Sequence, residues 1–199
     1  MRSFFFLLLV VCTHVCGCFI KVHKPEKRAF TANGWCYDHK SENQASGKIR
    51  FDGYYSDSSK YHCIFYSDGF WVAGNLNSLT TTKDMSAVMP FGIYKWGVYR
   101  IADDTIKIRY LFTPQRPYVT WHSWFLIENT ETLTHLISTR NFPITESMLQ
   151  AEQGKSPDGR KFTFIQGDSL PDMNLSWFKR CKWLWCDKAA YETWKTSMK

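Results

Sequence analysis

Gly92-Ile93-Tyr94-Lys95-Trp96-Gly97-Val98-Tyr99-Arg100-Ile101-Ala102-Asp103-Asp104-Thr105-Ile106-Lys107-Ile108-Arg109-Tyr110-Leu111-Phe112 decides the fold of this chain. Side chains along a strand point alternately to its two faces. Tyr94, Trp96, Val98 and Arg100 take one face, and Ile93, Lys95, Gly97, Tyr99 and Ile101 the other. Ala102-Asp103-Asp104 turns the chain, after which Ile106, Ile108 and Tyr110 alternate with Lys107 and Arg109. That is a hairpin whose second strand has a polar face.

The same unit recurs on both sides. Downstream, Val119–Ile127, the turn Glu128-Asn129-Thr130 and Thr132–Ser138 form a second hairpin. A last strand is expected over Lys161–Gln166 after the turn Ser156-Pro157-Asp158-Gly159. Upstream, Ile49, Phe51 and Tyr55 alternate with polar residues across a bend at Asp52-Gly53. Tyr61–Tyr66 and Gly69–Gly74 flank an Asp68-Gly69 turn. Aromatic residues, 17% of the chain with nine Trp and ten Tyr, favour strands over helices. Seven or eight short strands joined by tight turns predict an antiparallel meander. It should close into a lipocalin-like barrel, or fold as a β-sandwich, because both protect sheet edges. Helix is expected only around Thr145–Gln153, with Thr145 as N-cap and Glu146 in the first turn, and over Lys188–Ser197, capped by Asp187. Tyr191 and Trp194 would share one face of that C-terminal helix.

The N-terminus carries an address. Arg2 precedes an unbroken apolar run from Phe4 to Val11, long enough for a signal peptide but short of the roughly 20 residues of a membrane span. Val15-Cys16-Gly17-Cys18 follows, in which Cys18 would be the lipidated first residue of the mature chain and residues 1–17 the signal. An ordinary secretory signal cut near Gly17 or Cys18 is the alternative. Residues 18–47 then form an acylated tether and irregular lead-in, and 48–199 one β-rich domain with a Trp-rich tail. Cys12 and Cys16 leave with the signal. Cys36, Cys63, Cys181 and Cys186 remain, an even number compatible with two disulfides in any of three pairings, or with four free thiols.

The net charge of +7 is concentrated around His23–Arg28 and Lys179–Lys182. In a lipid-anchored protein such charge holds the body against anionic head groups, and an exported address leaves no role for nucleic acid. The lipobox-like Val15–Cys18, the pair Gly97-Val98-Tyr99 and Asp104-Thr105-Ile106-Lys107-Ile108, and the tail Pro171-Asp172 with Lys182-Trp183-Leu184-Trp185 together resemble small uncharacterised lipoproteins of Bacteroidota. The resemblance implies a β domain similar to lipocalin barrels and an outer-membrane address, in the periplasmic or surface leaflet. It implies no activity.

Chemistry is sparse. HExxH, Gly-x-Ser-x-Gly and EF-hand patterns are absent from the sequence, and Leu149 stands where a phosphate loop ending in Gly154-Lys155-Ser156 would need its first Gly. Asp103 and Asp104 fit turn duty rather than acid–base work. His62, His135, His39 and Cys63 lack metal-ligand spacing, so no metal and no cofactor are expected. Strand alternation places His122 with Trp124 on one face and Trp121 with Ser123 on the other. We take Trp96, Trp121, His122 and Trp124 as candidate ligand contacts, since flat aromatic faces stack on sugars or line apolar pockets. The contrary expectation is a barrel filled by its own side chains, with the Trp-rich tail plugging one end. The sequence therefore predicts a non-enzymatic, membrane-anchored barrel that binds a small apolar molecule, a glycan or an envelope protein. The alternative is an assembly subunit presenting an exposed Trp patch.

Overall fold

The computed structural model describes residues 24–38, 47–75, 95–112, 119–153, 159–167 and 170–198. Residues 1–17, expected to be a signal, together with Cys18, His39, Ile93, Tyr94 and the turn expected at Ser156–Asp158, lie outside them. Eight antiparallel strands follow one another in chain order and close into a barrel, because the last pairs with the first. They are β1 (Gly53–Ser56), β2 (Tyr61–Phe65), β3 (Phe70–Asn75), β4 (Lys95–Ala102), β5 (Thr105–Phe112), β6 (Val119–Asn129), β7 (Thr132–Arg140) and β8 (Arg160–Gln166). Among the described residues they are accompanied by the α-helices α1 (Lys24–Thr31), α2 (Glu146–Gln153) and α3 (Lys188–Ser197).

Local chemistry sets the element ends. Ala102 pairs with Thr105, leaving Asp103 and Asp104 as a two-residue turn in which Asp103 adopts a φ of 51°. Asp and Asn tolerate that left-handed conformation better than other non-glycine residues. The Thr145 hydroxyl accepts from the Met148 N–H at 3.3 Å and so caps α2. The Asp187 carboxylate accepts from the Ala189 and Ala190 N–H groups at 2.8 and 3.2 Å and caps α3.

Strand alternation sorts the apolar residues into two cores. The lumen takes Tyr55, Phe65, Tyr99 and Phe164, among others, in edge-to-face contacts 5.1–5.8 Å between ring centroids. The second core lies outside the barrel. Ile64, Phe70, Val72, Trp96, Val98 and Leu111 face outward from β2–β5 and are covered by Phe30, Tyr37 and the tail residues Phe178, Leu184, Trp185 and Tyr191. The Trp-rich tail is thus an external strap and not an end plug. It is spent on packing: none of the nine Trp side chains is exposed. Truncating a buried Trp such as Trp185 to Ala would cost about 3–5 kcal/mol.

The lead-in expected to be irregular contains α1, and its Phe30 is fully buried against Phe178 and Trp183 at 5.4 and 5.7 Å. Arg109, outward on β5 and buried, secures this segment. Its Nη1 donates to the carbonyls of Ala29, Phe30 and Ala32 at 3.3, 2.6 and 2.8 Å, and its guanidinium lies 4.8 Å from the centre of the Trp35 ring. The Ala29 and Phe30 carbonyls belong to the last turn of α1, whose end leaves carbonyls without helical partners, whereas the Ala32 carbonyl also accepts from the Trp35 N–H at 3.4 Å. Tyr37 bridges Trp185 in parallel, and the neighbouring Cys36 and Cys186 form a disulfide. The four-cysteine framework therefore yields one bridge. Cys63 and Cys181 are free: Cys63 faces the lumen from β2, whereas Cys181 lies on the strap outside the sheet.

Candidate functional site

The lumen is filled toward the β1 side, but one recess of about 140 Å³ remains inside the barrel, bounded by side chains of seven strands, β2 through β8. Tyr61, Trp71, Tyr110, Phe125 and Phe162 give it aromatic walls. The Tyr110 ring lies 5.1 Å from that of Trp71 and stacks nearly parallel to Trp121 at 6.2 Å. Gly97 makes room here. A Cβ at that position would come within 2.7 Å of Tyr110 Cβ and closer still to the Arg109 carbonyl oxygen.

Polar groups enter from β4 and from β6 to β8. Lys95 lies 5.0 Å above the Tyr61 ring and 5.4 Å above Tyr110. Arg160 approaches the Tyr61 and Phe162 rings at 5.3 and 5.4 Å. Arg160 Nη2 also pairs with the buried Asp57 carboxylate and donates to Ser59 Oγ at 2.6 Å. On β7, Ser138 Oγ lies 2.5 Å from Ser123 Oγ and 2.8 Å from His135 Nε2. A β-bulge brings these groups together. Trp124 pairs with Ile137 and Phe125 with His135, so Leu136 is the extra residue, and His135 and Ser138 both turn into the lumen.

The electrostatics of the recess are positive. Burial pushes the His135 imidazole down to about 4, with Arg160 and then Lys95 adding to that and Glu152 opposing it more weakly. The Lys95 ammonium is itself held below its ordinary value by burial, with Arg160 adding repulsion. Burial raises the Tyr110 phenol and the Cys63 thiol each to about 12, so neither is an anion at neutral pH. His135, Ser138 and Arg160 also line an outer recess of about 630 Å³, bounded by Met148 and Ala151 of α2. The strand pairing explains the opening. β8 pairs with β7 only over Thr132–His135, whereas β7 runs on to Arg140 with α2 beside it.

The four candidate contacts separate. Trp121 faces the lumen and stacks behind the recess wall. Trp96 is buried in the outer core beneath the strap. His122 and Trp124 also face outward, the first opposite Arg109 and the second under Lys107, whose ammonium lies 4.4 Å from its ring centre. A His122–Trp124 lumen pair is therefore excluded by the register. Burial, followed by the charge of Arg109, pushes His122 down to about 4. His62 is likewise buried on the outer side, its ring 5.0 Å from Tyr54. No His, Cys, Asp and Glu cluster able to hold a metal occurs among the described residues. Residues that sequence reasoning missed are Lys95, His135, Ser138 and Arg160. Lys95 alone had a signal, as a cation on the otherwise apolar face of Tyr99 and Ile101.

The chain matches no protein-family model, no curated protein and no solved structure.

Proposed function

We propose that this chain is a lipid-anchored envelope protein whose barrel binds a small ligand without transforming it, in the recess at the His135–Arg160 seam. The recess carries the proposal. Strand-derived rings and cations surround a space of about 140 Å³ that the side chains do not fill and that shares His135, Ser138 and Arg160 with a larger outer recess. Protein interiors normally leave few voids larger than a water molecule. An apolar cavity of about 150 Å³ accepts a molecule the size of benzene. The inner recess therefore suits one ring or a short planar chain, and any larger body would extend into the outer recess. The Cys18 anchor and the envelope address rest on Val15–Cys18 and on the resemblance to Bacteroidota lipoproteins. An assembly subunit using a Trp patch has less support, because no Trp is exposed.

A second reading, acyl transfer, draws on the 2.8 Å contact between Ser138 and His135. A nucleophilic serine needs a base that can become imidazolium, usually steadied by a carboxylate. Burial and two neighbouring cations oppose that charge on His135. Binding is the better use of this geometry.

Ligand-observed NMR with neutral, acidic and sugar fragments tests the proposal, using the wild type and Ser138→Phe, which fills the recess. Fragments of one-ring size should bind the wild type and lose binding in the variant. If no fragment distinguishes the two proteins, the recess is not a ligand site. The anchor has its own test. Palmitate labelling should mark the wild type, should be abolished by Cys18→Ala, and should leave a precursor when globomycin blocks processing.

A further inference from the structure

We propose that the recess selects a compact planar carboxylate, with its anionic end toward Lys95 and Arg160 and its flat body against the rings of Trp71 and Tyr110; this rests on the recess being a ligand site. Two cations converge on a single ring, the Lys95 ammonium at 5.0 Å and the Arg160 guanidinium at 5.3 Å from the centre of Tyr61. Asp57 is the carboxylate bonded to Arg160. The two contacts of Arg160 with Asp57 and Ser59 both use Nη2, and a guanidinium carries five N–H donors in a planar fork suited to a carboxylate. Glu152 borders the outer recess, where it would face the uncharged end of a bound acid.

A second observation comes from hydrogen bonding. The Tyr61 hydroxyl is buried at the recess with no partner among the described residues, and the Trp71 N–H has only the weak influence of the Cys63 sulfur. Buried polar groups nearly always have a partner, and an unsatisfied one costs about 1–3 kcal/mol. An acidic ligand supplies acceptor oxygens to this donor-rich wall. Its π faces would lie against rings already arranged to receive them. A neutral sugar can stack on the same rings but carries no anionic group for the two cations. A purely apolar molecule would leave the Tyr61 hydroxyl without an acceptor and would bring no charge to the two cations.

Calorimetric titration with benzoate, benzyl alcohol and inorganic phosphate separates the possibilities. Benzoate should bind the wild type at least tenfold more tightly than benzyl alcohol or phosphate. Lys95→Met should weaken benzoate at least tenfold and leave benzyl alcohol unchanged, while Lys95→Arg should restore most of the benzoate affinity. Tyr61→Phe, which keeps the ring, gives a second measure and should weaken benzoate about threefold or more. Equal binding of benzyl alcohol and benzoate, or unaltered benzoate affinity in both Lys95→Met and Tyr61→Phe, would overturn the acid preference while leaving the ligand site intact. Tight phosphate binding would overturn the planar body. Binding of none of the probes to the wild type, with Ser138→Phe behaving identically, would bring down both the preference and the site.

Discussion

His135 and Ser138 share a face of β7 and meet at 2.8 Å although three positions separate them in the chain. Regular alternation would send them to opposite sides of the sheet. Leu136, the extra residue of the bulge, reverses the parity. Without it the recess would lose one of its two polar side chains from β7.

That contact predicts a negative result in a specific assay. The protein should hydrolyse p-nitrophenyl acetate no faster than its Ser138→Ala variant at pH 7, because a base held near 4 cannot draw the serine proton effectively. A rate at least tenfold above that of the variant would reinstate acyl transfer.

Acid should destabilise the fold in a defined window. His122 and His135 sit near 4 in the folded protein, against about 6.5 in an unfolded chain. Between those values the unfolded state holds more protons, so stability falls as pH drops from about 6.5 to about 4 and is fully present above that range. The loss is on the order of a few kcal/mol in total. Urea midpoints measured from pH 7 to 4 should decline, and His122→Gln should flatten the slope. A midpoint constant across that range in the wild type would contradict the assignment.

The Cys36–Cys186 bridge closes a sequence separation of 150 residues. Reduction, or Cys36→Ser, should lower stability by about 2–5 kcal/mol. Loosening the strap should also let water reach Trp96 and Trp185, shifting tryptophan emission to the red before the barrel melts. Emission and far-UV circular dichroism recorded together on heating check this order.

Arg109→Met should release α1. The guanidinium meets three carbonyls; that of Ala32 keeps the Trp35 N–H, and leaving those of Ala29 and Phe30 without the guanidinium costs about 1–3 kcal/mol. Hydrogen exchange should quicken at the amides of Phe30 and Thr31 while those of β5 and β6 stay protected. Uniform exchange across all of these segments would mean that Arg109 supports the barrel itself.

Much of the fold was legible because local signals agreed. The Asp103-Asp104 turn, the caps Thr145 and Asp187, and the alternation of β4 and β5 all point to the observed elements. Which face turns inward was harder to read. On β3 and β4 both faces are apolar, since the strap buries the outer one, so hydrophobicity does not mark the lumen side. Trp96 and His122 both lie on the outer side, one under the strap and the other opposite Arg109. Helix α1 escaped notice because Lys24–Thr31 offers essentially one apolar anchor, Phe30, and its order depends on Arg109 and the tail, distant in sequence. The site was least visible of all. It depends on a one-residue bulge that no local composition announces, and on cations whose neighbours lie on other strands.

The Cys36–Cys186 bridge also fixes how the molecule carries load. Every strand of the barrel lies between residues 36 and 186, so traction applied to the two ends of the chain passes through the sulfur bond and bypasses the sheet. Pulled that way, the protein should lengthen only by the segments beyond the bridge, until a reductant opens it and hands the force to the strands.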